Sequence, residues 1–186
     1  MKDKLLIIGA GGLGRMTLDI AETQYDCFFV DDAFDEGSVI CNTKVVGHLS
    51  DLPKLKSRFN YFVVAIGDNK LREKITINCR EYGLENVSIV SSDAFISKWA
   101  KIGRGCIIQH FATVQNGASI GNGTIVSSHS EIHHDSTVGN YCSIYPNSVI
   151  RTYAKLGDRV KCGSNVSVSN GVCASDDLDI KNGEVL

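Results

Sequence analysis

No apolar run in this 186-residue chain approaches the ~18 residues that a membrane-spanning helix requires. No Lys/Arg cluster is present either. The 19 basic residues are set against 21 acidic ones for a net charge of −2, which leaves no electrostatic basis for capturing nucleic acid or an anionic membrane. The seven cysteines, at 27, 41, 79, 106, 142, 162 and 173, are odd in number and hold no C-x-x-C pair. They fit neither a disulfide framework nor a zinc site and read as reduced packing residues. No secretory segment is expected either, because the short apolar stretch after Met1-Lys2-Asp3-Lys4 runs straight into Gly9-Ala10-Gly11-Gly12, which reads as a strand and a turn. The expectation is a cytoplasmic protein whose partner is a small molecule.

What the chain does have is a repeat. From Ile96 an aliphatic residue or cysteine recurs at every sixth position through Ile102, Ile108, Val114, Ile120, Val126, Ile132, Val138, Ile144, Ile150, Leu156, Cys162 and Val168. Four residues after each comes a small or β-branched residue, as in Cys106, Ala112, Ala118, Thr124 and Ser130. A helix would repeat every 3.6 residues and a flat strand every two, so a strict six with small partners means short strands separated by tight corners. Gly103, Gly121, Gly139 and Gly157 add a second period of 18, so three hexapeptides make one coil. The repeats span 96–173, just over four coils of a parallel β-helix. Handedness cannot be read from a period, and the ordinary crossover rule would favour a right-handed winding.

Residues 1–92 have a different grammar of alternating strands and helices, which predicts a small doubly wound α/β domain with a parallel sheet. Leu5-Leu6-Ile7-Ile8 reads as a buried strand, Met16 to Thr23 as a helix, and Cys27-Phe28-Phe29-Val30 as a second strand. Tyr61 to Ile66 is a third strand, followed by a helix to about Tyr82, and Val87-Ser88-Ile89-Val90 is a fourth. The loop Gly9-Ala10-Gly11-Gly12-Leu13-Gly14 satisfies the dinucleotide fingerprint. Its backbone N–H groups and the following helix N-terminus could cradle a phosphate, while Asp31 or Asp32 binds ribose or base. Four strands are too few for a nicotinamide enzyme, and a nucleotide carrying a sugar fits better.

His134 follows Ile132 by two positions and so points outward from the coil, with Asp135 beside it. Acyl transfer needs a base near neutral pKa to take a proton from an attacking amine or hydroxyl, and a neighbouring carboxylate would fix its tautomer. Zinc is the rival chemistry. His129 and His134 are five apart, but a third ligand should lie 18 or 36 residues away, and Phe111 and Asp93 occupy those positions before His129. No metal is expected.

These pieces resemble the family of sialic acid O-acetyltransferases and UDP-4-amino-sugar N-acetyltransferases. The resemblance rests on Gly9-Ala10-Gly11-Gly12, Val30-Asp31-Asp32, Ala65-Ile66-Gly67-Asp68-Asn69 with Arg72, and Ser130-Glu131-Ile132-His133-His134-Asp135. It implies a left-handed β-helix over 93–186 and an acetyl-CoA-dependent sugar N- or O-acetyltransferase of surface-glycan biosynthesis. It further implies that Gly9, Gly11, Gly12, Asp31, Asp32, Gly67, Asn69 and Arg72 hold the nucleotide sugar. His134 would be the general base and Asp135 its orienter, in a homotrimer that binds acetyl-CoA between neighbouring prisms. Ser143 and Thr152, nine and eighteen residues after His134, fall on the family's acyl-CoA path. They stand where the family usually has a histidine and a glycine, and Thr152 would narrow the groove. Leu13 replaces a usual histidine in the glycine loop, and the Gly-x-Pro-Ala-Lys tail is missing. A non-catalytic sugar-nucleotide-binding scaffold is the alternative that these departures motivate.

Overall fold

The computed structural model describes residues 2–186. Its chain divides into two compact units, with the boundary between Ile89 and Val90. No helix among the described residues is long and apolar enough to cross a membrane.

The first unit is built on a four-stranded parallel sheet in the order Asp26–Val30, Lys4–Ile8, Tyr61–Val64, Glu85–Asn86. Leu5, Leu6, Ile7 and Ile8 are all fully buried, as a central strand covered on both faces should be. From that strand the chain moves first to one side and then to the other, so its C-terminal end is a topological switch point, where open α/β sheets place their ligands. The glycine loop leaves the sheet there, with Gly9 N donating to Val30 O and Ala65 N to Ile8 O. The helix begins at Gly12 and runs to Ala21, four residues ahead of its expected start at Met16. Glycine is a poor helix former in the interior, yet in the first turn, where N–H groups lack intrahelical partners anyway, it is tolerated. Val87–Val90 is not the fourth strand of this sheet. That place goes to Glu85–Asn86, while Ile89–Val90 is the first rung of the coil that follows. The β-branched composition of Val87–Val90 suits a sheet strand or a rung equally, whereas Glu85–Asn86 has no β-branched residue to mark it as a strand.

The second unit is a parallel β-helix with three faces of six, five and five two-residue rungs. Each rung pairs with the one eighteen residues on, as in Thr113–Val114 with Glu131–Ile132 and Glu131–Ile132 with Val149–Ile150. The aliphatic positions fill the interior together with their small partners Cys106, Ala112, Ala118, Cys142 and Ala154. Buried hydroxyls in the same positions close on backbone carbonyls: Thr124 Oγ1 donates to Gly139 O at 2.9 Å and Ser148 Oγ to Gly163 O at 2.7 Å. The interior therefore carries polar atoms without orphaning them. The coil is longer than the 96–173 read from the repeat, because Ala174 and Ile180 continue the inward series on rungs Cys173–Ala174 and Asp179–Ile180.

Two devices hold the coils in register. A Cβ on Gly121 would lie 2.6 Å from Asn140 N, so the glycine column is a requirement of close stacking rather than of backbone freedom. Beside it runs a side-chain ladder in which Arg104 N donates to Asn122 Oδ1, Asn122 N to Asn140 Oδ1, Asn140 N to Asp158 Oδ1 and Asp158 N to Asp176 Oδ1, all at 2.7–2.9 Å.

Candidate active site

After the rung Glu131–Ile132 the chain turns a corner through His133, His134 and Asp135, with Asp135 in the left-handed region at φ 60°. Aspartate is among the few residue types that visit this region readily. The corner presents His134 and Asp135 outward, each with half of its side chain exposed. His134 is then fixed from four directions. Its backbone N donates to Gln115 Oε1 at 3.1 Å, its Nδ1 lies 3.0 Å from Asp135 Oδ2, and its Nε2 lies 3.2 Å from Thr152 Oγ1. Tyr153 meets the ring edge-on, with centroids 6.1 Å apart at 82°. A carboxylate can only accept, so the Asp135 contact places the proton on Nδ1 and leaves Nε2 as the basic nitrogen.

His133 is engaged elsewhere, its Nε2 3.1 Å from Glu131 Oε2. Of the two adjacent histidines only His134 has the carboxylate–imidazole–hydroxyl arrangement. Gly117 makes room for it, since a Cβ there would collide with Asp135 Oδ1. Gln115, Gly117, Thr152 and Tyr153 share one signal: each lies eighteen residues from a member of the His133–Asp135 corner. That period is legible in the sequence, and Thr152, expected to narrow a groove, proves to be a hydrogen-bonding neighbour of His134. Ser143, expected alongside Thr152 on the acyl-CoA path, is placed on a different face. It is fully buried on the rung Ser143–Ile144, paired with Ile125–Val126.

The remaining histidines of the coil are occupied. His110 Nδ1 lies 2.8 Å from Ser91 Oγ and 3.2 Å from Asp93 Oδ2, and His129 stacks on Phe111 at 5.1 Å. Among the described residues no three His, Cys, Asp or Glu side chains converge as a metal site would require.

In the first unit the glycines fall into two groups. A Cβ on Gly9, whose φ is +103°, would sit 2.7 Å from Ala65 O, and one on Gly14 would collide with Gly9 O. Gly11, Gly12 and Gly67 meet nothing within 4 Å, so the protein's own packing does not demand glycine there. Gly11 caps the first helix with no side-chain bond and no acidic residue in the first turn, so the helix N-terminus is open to an anion. At the start of the glycine loop a cavity of about 140 Å³ is lined by Ile8, Gly9, Val30, Asp31, Asp32, Leu49 and Ile66.

The charged residues beside that cavity brace loops. Asp31 accepts from Ala10 N through Oδ2 at 2.7 Å and from Ala33 N through Oδ1 at 2.8 Å, while Asp32 accepts from Leu49 N. Arg72 was expected among the nucleotide-sugar ligands, but it is 1% exposed. Its guanidinium donates to Ile66 O at 2.7 Å and to Asn69 Oδ1 at 2.7 Å, which locks the loop after the third strand from behind. Burial of so strong a donor is compensated only by such bonds.

A switch-point glycine loop joined in one chain to a six-residue coil with an outward histidine–carboxylate pair defines the class of hexapeptide-repeat transferases. Comparison with known proteins narrows it. Residues 4–78 match the PglD N-terminal domain, and residues 100–134 and 117–152 match the bacterial transferase hexapeptide (six repeats). The GDP-perosamine N-acetyltransferase of Escherichia coli O157:H7 is 30% identical over 178 residues, covering 89% of this chain and 78% of that protein. A histidine-to-asparagine variant of perosamine N-acetyltransferase from Caulobacter crescentus, solved in complex with CoA and GDP-perosamine, superposes with a TM-score of 0.94. It is 25% identical, over 98% of this chain and 88% of that one. The acetyltransferase domain of PglB from Neisseria gonorrhoeae FA1090, solved with acetyl coenzyme A, gives 0.86 at 27% identity over 100% of this chain and 96% of that one. The chain belongs to this family of acetyl-CoA-dependent sugar acetyltransferases with a PglD-type N-terminal domain and a left-handed β-helix.

Proposed function

We propose that the protein transfers an acetyl group from acetyl-CoA to the amino group of a nucleotide-linked amino sugar, with a GDP-linked 4-amino sugar as the first acceptor to test. The observation that carries this reading is His134, which stands half exposed on an outward corner of the coil with its Nδ1 tied to Asp135. His134 acts as general base, removing a proton from the amine as its nitrogen attacks the thioester carbonyl, and Asp135 stabilises the imidazolium that forms. The C–S bond then breaks and the coenzyme A thiolate recovers the proton. The nucleotide phosphates are held by the open helix N-terminus at Gly11 and Gly12, with Gly9, Asp31, Asp32, Gly67 and Asn69 shaping the surrounding loops and Arg72 bracing them from behind. Relatives named for perosamine N-acetylation favour nitrogen over oxygen as the acylated atom. A homotrimer in the cytoplasm, serving surface-glycan biosynthesis, completes the reading.

The test is incubation of the purified protein with acetyl-CoA and GDP-, UDP- or dTDP-linked 4-amino sugars, with the sugar product followed by mass spectrometry. Exposed Cys41 and Cys173 would contribute background to a thiol-release assay. The expected result is one acceptor gaining a single acetyl group. Binding of a sugar nucleotide with no acetylation of any acceptor would overturn the enzyme reading in favour of a non-catalytic scaffold.

A further inference from the structure

The contact between Thr152 and the base has a chemical consequence. The only in-plane lone pair of a His134 ring protonated at Nδ1 is on Nε2, and Thr152 Oγ1 stands 3.2 Å from it, in position to donate its O–H. An acceptor amine seeking the base finds a hydroxyl in the way. The hydroxyl is not free to step aside without replacement. Thr152 follows His134 by one coil, on rungs paired through Ile132 and Ile150, and both corners end in a left-handed residue, Asp135 at φ 60° and Tyr153 at φ 62°. The backbone thus delivers Cβ of residue 152 beside the imidazole. A β-branched side chain has few χ1 wells, and rotating it substitutes a methyl group or a hydrogen for the hydroxyl. Tyr153 packs edge-on against the same ring.

We propose that Thr152 is a second catalytic residue, which relays the acceptor's proton to His134. The inference rests on His134 being the base. As the amine nitrogen forms its bond to the thioester carbonyl carbon, its N–H proton passes to Thr152 Oγ1 while the threonine's own proton passes to His134 Nε2. The C–S bond breaks, and the imidazolium returns one proton through the same hydroxyl to the coenzyme A thiolate. Thr152 and His134 end as they began, and the sum is acetyl-CoA plus amine giving amide plus free thiol. The geometry sets the acceptor nitrogen against Thr152 Oγ1, one hydrogen-bond length further from the imidazole than direct abstraction would require.

Three variants and one control test the relay, with the acceptor identified in the experiment above. Thr152→Ser keeps the hydroxyl but not the methyl that restricts its rotation, and should recover most of the turnover that Thr152→Ala loses. Thr152→Val and Thr152→Ala remove it and should lower kcat by roughly 10²-fold, within the range that a lost proton-transfer group costs, with KM for acetyl-CoA little changed. A proton inventory in mixed H₂O and D₂O should be curved for wild type, where two protons move together, and linear for Thr152→Ala. Thr152→Ala turning over as fast as wild type or faster would show that the hydroxyl only obstructs the base, and the relay would be wrong. An acetyl group recovered on Thr152 would also overturn it, by making the residue a nucleophile. His134→Ala separates the two levels of the reading: full turnover there, or no acceptor at all, removes the base and the relay together. Loss with His134→Ala but not with Thr152→Ala removes the relay alone.

Discussion

In the β-helix, the residues that touch a given side chain lie about one coil away, fifteen to nineteen positions on or back. In the α/β unit no such rule exists. Asp31 reaches back 21 residues to Ala10, and Arg72 reaches back six to Ile66. The coil therefore turns sequence position directly into spatial neighbourhood, and its site is assembled from consecutive coils at one corner. The α/β unit assembles its loops by burying a charge and spending it on backbone carbonyls. One site is held by repetition, the other by irregular bracing, and the two should fail differently when perturbed.

The largest effect should come from the coil's outward corner. His134→Ala is expected to lower kcat by about 10²–10⁴-fold, measured in steady state, while the thermal midpoint stays where it was, because the residue contributes nothing to the packed interior. A comparable loss of stability would mean that chemistry and scaffold are not separable in the coil. In the α/β unit they should not be. Arg72→Met keeps the bulk but removes the donors to Ile66 O and Asn69 Oδ1, and should cost ~3 kcal/mol in a denaturant melt, with weaker nucleotide binding as well. Smaller again, Gly121→Ala forces a Cβ to 2.6 Å from Asn140 N and should cost about 1–3 kcal/mol. Its counterpart Gly11→Ala meets nothing within 4 Å. It should melt like wild type and show its defect only in calorimetric titration with the nucleotide sugar. The smallest effect is on the thiols. Cys79, Cys106, Cys142 and Cys162 are buried, and burial pushes Cys79 and Cys162 up to about 12, as it does half-buried Cys27. Cys27, Cys79 and Cys162 should remain protonated near neutral pH and Cys106 and Cys142 are shielded by burial, so a thiol reagent should modify Cys41 and Cys173 quickly and the rest only after denaturation.

The same contrast explains what the amino-acid sequence disclosed. The inward column from Ile96 to Val168 was readable because every position in it but Cys162 is aliphatic and the spacing never slips. It was read too short, since Ala174 sits where an aliphatic residue was sought. The outward placement of His134 is readable from the register, whereas its choice over His133 and its pairing with Asp135 rest on the family resemblance, and the eighteen-residue spacing that brings Thr152 to the same imidazole is readable in principle. In the α/β unit the glycine loop announced itself, but nothing local marks Arg72 as buried. A lone arginine in a polar helix has the same sequence signature whether it faces a ligand or the loop beneath it. The boundary of the sheet was missed for the opposite reason, because Val87–Val90 suits either a sheet strand or a rung.

The ladder through Asn122, Asn140, Asp158 and Asp176 makes the coil behave as a reading frame. Six residues added between His134 and Thr152 would shift everything after them by a third of a turn and carry the hydroxyl to the next face, unless the extra segment were extruded as a loop. Eighteen added in the same interval would keep the face but lift Thr152 one storey, ~4.8 Å, beyond reach of the imidazole. The same eighteen added after the corner at Tyr153 would leave the pair untouched. Length in this protein is thus tolerated or forbidden by where it falls, and the span from Gln115 to Tyr153 is the part that cannot lose count.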